Sequence, residues 1–193
     1  MIKKLTLIIG FIICLSSCGK DYVYRIEGEL SNLEDQTVYA VFEKDNYKVV
    51  DTVACTKPGQ FQIDQNEAGF HCVTIFFADK EHWVTAYLEP GETVKITGDA
   101  NSPLLLQVKG GRTNDKLAAF KKKIAPLLTE LTNLSNSLNS KDLNDTIEET
   151  DIAARLANVN MQLSEEAIRY VKENPNEEAS VVLIQSFFSD PDD

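Results

Sequence analysis

Cys55 and Cys72 are the residues best suited to thiol chemistry, and a structural disulfide between them is the first possibility to weigh. If the "KPG" turn pairs Cys55 with Gln62, and the next turn pairs Gln62 with Cys72, the two thiols flank a common strand. That register holds them about 10 Å apart, whereas a disulfide needs α-carbons within about 7 Å, so it disfavours the bond. No Cys-x-x-Cys is present. His71 and His82 lack metal-motif spacing, and adjacent strand residues such as His71 and Cys72 face opposite sides. Asp51, Asp64 and Asp79 lie in strand- or turn-like segments without the fixed separation that a carboxylate pair requires. Trp83 and Tyr87, with Phe76 and Phe77, are candidates to line a glycan or peptide groove and equally suited to a core. "VKGGRTND" is glycine-rich but lacks the terminal Lys-Ser/Thr pair of a phosphate loop, which leaves Gly110-Gly111 as a turn and Thr113 or Asn114 as a helix cap. No catalytic set, metal site or cofactor is expected, and the chain as given reads as a non-enzyme.

The composition narrows the partners. Thirty acidic residues against 19 basic ones give a net charge of −11, which repels nucleic acid. The one dense basic run, Lys121-Lys122-Lys123, reads as the solvated face of a helix.

The amino terminus "MIKKLTLIIGFIICLSSC" has Lys3 and Lys4, then an apolar run from Leu5 to Leu15, then small residues, the order of an export signal. The run falls short of the about 20 residues that span a bilayer. Leu15-Ser16-Ser17-Cys18 resembles the lipobox of bacterial lipoproteins. The resemblance implies cleavage after residue 17, a diacylglycerol thioether on Cys18 and acyl chains of the palmitate type, enough for stable anchoring. Gly19 stands where aspartate would favour inner-membrane retention, so the expected location is the cell envelope, at the outer membrane, with the leaflet open.

The elements that must position these residues change character near Gly110. From residue 22 onward, "YVYRIEGEL", "QTVYAVFE", "YKVVDTVACT", "QFQI", "FHCVTIFF", "HWVTAYLE", "ETVKITGD" and a final "LLLQVK" alternate with period two. The expectation is a mainly β fold: a small antiparallel β-sandwich or partly closed barrel, with strand order unreadable. Beyond Gly110-Gly111, Leu117, Phe120, Ile124, Leu127, Leu131, Leu134 and Leu138 form a helical stripe that Pro126 is expected to kink or split. Asp145 with Glu148 suits a cap, and Ile152, Leu156, Val159, Leu163 and Tyr170 draw a second stripe. An antiparallel helical hairpin hides both stripes, and a coiled-coil dimer is the alternative. "ENPNEE" opens a third helix, with Asn174 as cap and Pro175 at its first position. The divisions are a signal at 1–17, lipidated cysteine and tether at 18–21, sandwich at 22–110, helical region at 111–189 and a polar end at 190–193.

"YRIEGEL", "VVDTVACTKPGQF", "YLEPGETVKITGD", "VKGGRTNDKLAAF" and "VKENPNEEASVVLI" occur in an order that resembles a lipoprotein-borne domain of unknown function. In Bacteroidota thiol-disulfide oxidoreductases that domain precedes a thioredoxin-like domain, and the likeness covers residues 22–188. The resemblance implies a β-sandwich followed by helices, with the redox cysteines in a thioredoxin-like part that this chain lacks. Three functions are consistent with the reading. The first is a non-catalytic, lipid-anchored envelope module that binds a protein or glycan partner. The second is the amino-terminal accessory region of a thiol-disulfide oxidoreductase, with a thioredoxin-like domain in cis. The third is a self-associating structural protein of the envelope.

Overall fold

The computed structural model describes residues 23–33, 37–77, 82–139 and 146–188. The leader, Cys18, Asp79, the Asp145–Glu148 cap and the polar end at 190–193 lie outside the described residues or side chains. Among those described, the order is β1 (Tyr24–Ser31), β2 (Thr37–Lys44), β3 (Tyr47–Ala54), β4 (Gln60–Gln65), β5 (Cys72–Phe76), β6 (Trp83–Tyr87), β7 (Thr93–Asp99), a 3₁₀ turn (Pro103–Leu105), β8 (Gln107–Lys109), α1 (Arg112–Asn139), α2 (Thr146–Glu173) and α3 (Glu178–Phe188).

Two four-stranded sheets form, ordered β4-β1-β7-β8 and β3-β2-β5-β6. Strand alternation puts Tyr24 and Ile26 of β1, Phe61 and Ile63 of β4, and Val94 and Ile96 of β7 inside. They meet Val38, Ala40 and Phe42 of β2, Val73 and Ile75 of β5, and Val84 and Ala86 of β6 in one core. The mainly β fold with a helical tail is therefore present, as a sandwich of two separate sheets. The pairing is mixed, because β1 runs parallel to β7.

The register assumed for the cysteines does not occur. β4 pairs antiparallel with β1, Gly28 facing Phe61, and not with β3. The "KPG" turn docks on β1 instead: Leu30 N–H donates to the Gly59 carbonyl at 2.8 Å. Gly59 has φ +73°, and a β-carbon there would stand 1.9 Å from the Leu30 oxygen, so the turn requires glycine. At Gly28 the reason is space, since the Phe61 ring lies where a β-carbon would be, 2.1 Å away.

α1 and α2 pack through their stripes into a second core containing Phe120, Ile124, Leu128, Val159 and Leu163. Phe120 against Tyr170, Lys123–Glu166 at 2.9 Å and Glu130–Arg155 at 3.1 Å run in opposite chain directions, which makes the pair an antiparallel hairpin. α1 continues through Pro126 as one helix, so the expected split is corrected. Pro126 is exposed, and Ile124 and Leu128 on either side of it are buried in the core shared with α2. α3 starts at Glu178, not at Pro175, and the Asn174 side chain donates to the Tyr170 carbonyl at 2.9 Å. Asn174 thus closes the end of α2, whose last carbonyls need donors.

Candidate functional site

β6 is an edge strand of its sheet. Leu88 N–H donates to His71 C=O and Phe77 N–H to His82 C=O, so the even-numbered residues of β6 bond to β5. By antiparallel alternation, Trp83, Thr85 and Tyr87 direct their backbone groups to the free edge. At Tyr87 that edge is closed by a side chain: Asn114 Oδ1 accepts Tyr87 N–H at 2.9 Å, and Asn114 Nδ2 donates to Tyr87 C=O at 2.7 Å.

Asn114 is held there by the glycine turn. Gly110 has φ +102°, and a β-carbon would lie 2.1 Å from the Thr93 carbonyl, so α1 begins hard against β7. Asn114 Nδ2 also donates to Gly110 C=O at 2.7 Å, and Asp115 Oδ1 accepts Gly110 N–H at 2.9 Å. Glu89, from the "YLEPGE" segment, accepts Thr113 N–H at 3.2 Å, and Thr113 Oγ1 donates to Glu178 Oε2 at 2.7 Å. The expected cap by Thr113 or Asn114 is corrected: a carboxylate from the sandwich meets the positive end of α1, which frees both side chains to tie α1 to α3 and β6.

Below this junction a groove of about 460 Å³ opens between β6, the 3₁₀ turn, α1 and α3. Leu117, Ile124 and Leu128 from α1 line it, with Val182, Leu183 and Phe187 from α3. Trp83 stands at its rim, 53% exposed, with its ring 6.1 Å from Phe76. Tyr87 is half-buried in the wall; burial, then the proximity of Cys72, Glu178 and Glu43, pushes its phenol up to about 12. The two candidate aromatics therefore share one concavity, while Phe77 belongs to the sandwich core. His82 also lines the groove, and no aspartate or glutamate among the described residues does.

Lys121 projects into this lining, and its Nζ donates to the Leu106 carbonyl at 2.9 Å. Burial pushes its ammonium below the ordinary lysine range. Reading the lysine run as a uniformly solvated face fails at this residue, whereas Lys122 and Lys123 are exposed. The signal was present in the spacing: Lys121 lies four residues after Leu117 and three before Ile124, on the apolar stripe.

The remaining candidates do not converge. Cys72 pairs with Glu43 near one end of β2, and Cys55 follows Ala54, which pairs with Thr37 at the other end. Six residues of strand separate those ends, about 20 Å at 3.3 Å per residue. Both thiols are free, and a disulfide between them has no geometry in this fold. The Cys72 thiol approaches Glu43 Oε2 at 3.8 Å; burial first, and then that carboxylate, pushes it up to about 11. Burial also raises Cys55. His71 meets Asp45 at 2.8 Å on the exposed surface. Asp64 is engaged by Arg25, and Asp51 pairs across the sheet with Ala40. Among the described residues, no group of three His, Cys, Asp or Glu could hold a metal, and no helix is long and apolar enough to cross a membrane.

Residues 24–117 match the family model described as Domain of unknown function (DUF4369). The chain carries a DUF4369 domain. The match begins with β1 and ends in the second turn of α1, so the DUF4369 domain includes the β6 wall, the glycine turn and Asn114. Lys121, α2 and α3 lie beyond it, and the groove is built jointly by the DUF4369 domain and the helices that follow. Neither the curated proteins nor the solved structures contain a significant match to the chain.

Proposed function

We propose that the protein is a non-catalytic, lipid-anchored module of the cell envelope that binds a partner in the groove between β6 and helices α1 and α3. The observation that carries this reading is the character of the groove. It is lined mainly by apolar side chains and, among the described residues, holds no carboxylate, in a chain with 30 acidic residues. Concave, mostly apolar surfaces with a few polar groups are the usual form of ligand sites. Such a lining favours an apolar ligand over a glycan, which needs many polar partners. The anchor rests on the lipobox-like Leu15-Ser16-Ser17-Cys18, and the outer membrane on Gly19.

The protein's single tryptophan, Trp83, stands at the rim and reports occupancy directly. Titration with 1-decanol, a neutral apolar probe, is expected to change Trp83 fluorescence saturably. An unsaturable or absent response sinks the groove as a binding surface. Mass measurement of the amino-terminal peptide from the native host tests the anchor, and an unmodified Cys18 overturns it.

A second reading is supported by the outer face of α3. Val181, Ile184 and Phe188 are each about half exposed and share one helical stripe. A thioredoxin-like domain in cis would cover such a face, as the family resemblance implies for a thiol-disulfide oxidoreductase. A reading frame that continues past Asp193 into Cys-x-x-Cys would establish it. Self-association through the same stripe is separated by the molecular mass in solution.

A further inference from the structure

The geometry points to a linear aliphatic carboxylate, of the fatty-acid class, as the occupant of the groove, its chain along α1 and α3 and its carboxylate on the Lys121 ammonium. This inference rests on the groove being the binding surface.

Charge complementarity selects the head group. An ammonium carries three N–H donors, and the described residues supply Lys121 with one acceptor, the Leu106 carbonyl. Two donors are left in a lining that offers no carboxylate among the described residues, and a monoanionic carboxylate supplies two acceptor oxygens and a countercharge. A phosphate monoester brings nearly two charges and three acceptor oxygens, and the lining has no arginine to meet them. Burial lowers the Lys121 pKa, and a carboxylate bound beside the ammonium would act in the opposite direction.

The apolar part of the lining selects the tail. Leu117, Ile124, Leu128, Val182 and Leu183 present branched aliphatic surface, and the volume of about 460 Å³ lies within the range of about 300–1,000 Å³ typical of small-molecule sites. A flexible hydrocarbon chain follows such a surface without needing polar partners. Each methylene it buries adds about fourfold to affinity.

The test compares decanoate with 1-decanol by Trp83 fluorescence, using the full-length chain bearing Cys18→Ser so that no lipid is attached. Decanoate is expected to bind at least about tenfold more tightly, because hydrogen bonds to charged groups exceed neutral ones. Lys121→Met should abolish that preference while 1-decanol still binds saturably, and Lys121→Arg should keep the preference and guards against loss through misfolding. Dodecanoate, with two more methylenes, should bind about fifteenfold more tightly than decanoate. Equal binding of acid and alcohol, or a preference that survives Lys121→Met, overturns the inference and leaves the groove reading standing. Binding of neither ligand sinks both. A dimer in which binding of either probe requires dissociation would assign the groove to a second copy of the chain and overturn the fatty-acid assignment.

Discussion

The Asn114 side chain bonds both backbone groups of Tyr87, accepting its N–H at 2.9 Å and donating to its carbonyl at 2.7 Å. One amide thereby takes the place of a neighbouring strand at the end of β6. Asn114 is 2% exposed, so its amide is shielded from solvent where it makes these bonds. Asn114→Ala should cost about 3 kcal/mol in urea denaturation, since it removes the partner of three part-buried backbone groups of Tyr87 and Gly110 at about 1–3 kcal/mol each, partly offset by relaxation and hydration. Asn114→Asp should be no better, because a carboxylate cannot donate to the Tyr87 and Gly110 carbonyls. A loss under about 0.5 kcal/mol for Asn114→Ala would show that the junction is held elsewhere.

The strands and the two stripes were legible because burial repeats with period two from Tyr24 to Ile96 and with helical period from Leu117 to Leu163. Strand partners were not, because pairing is set by long-range contacts: β3 and β4 are neighbours in sequence yet belong to different sheets, and β1 finds β7 in parallel. The site was half legible. Trp83 and Tyr87 announce themselves by residue type, whereas Lys121 is concealed in a basic run and declares its role only through its place on the stripe. Nothing local foretold that Glu89, rather than Thr113 or Asn114, would face the start of α1, since that contact joins segments 24 residues apart.

Pro126 interrupts the hydrogen bonding of α1. It is exposed within the 28-residue helix, and its ring nitrogen cannot donate to the Lys122 carbonyl. Pro126→Ala should raise unfolding stability by about 1–3 kcal/mol, up to the difference in helix propensity between the two residues. An unchanged or lowered midpoint in chemical denaturation would mean that the proline fixes a bend on which the α1–α2 contact depends.

Cys72 should behave as an inert thiol. With its pKa pushed up to about 11 by burial and Glu43, about 0.1% is thiolate at pH 8, against roughly a quarter for a free cysteine. Native-state alkylation by iodoacetamide, followed by peptide mapping, should find Cys72 at least about 100-fold slower than free cysteine. Glu43→Gln should speed it, by removing the negative charge that opposes ionisation. Rapid labelling of Cys72 at pH 8 would contradict this and reopen a redox role for the chain's own thiols.

Arg25 and Asp64 face each other directly across β1 and β4 and form two hydrogen bonds, Nε to Oδ1 at 2.6 Å and Nη2 to Oδ2 at 2.8 Å. The guanidinium contact, opposed by burial and aided by Gln62, holds the Asp64 pKa below its ordinary value. A carboxylate whose folded pKa is depressed stabilises the fold fully above its unfolded pKa, about 3.9, and loses that contribution as pH falls through the lower folded value. Both side chains are about one-third exposed, so the pair is worth only about 0.5–1 kcal/mol after solvent screening. Asp64→Asn should therefore lower stability by that amount at pH 7, and the gap between wild type and variant should close below the ordinary carboxylate range, vanishing near about pH 2. Urea denaturation at both pH values checks it: a gap that persists at pH 2 would mean that Asp64 acts through packing or neutral hydrogen bonds and not through its charge.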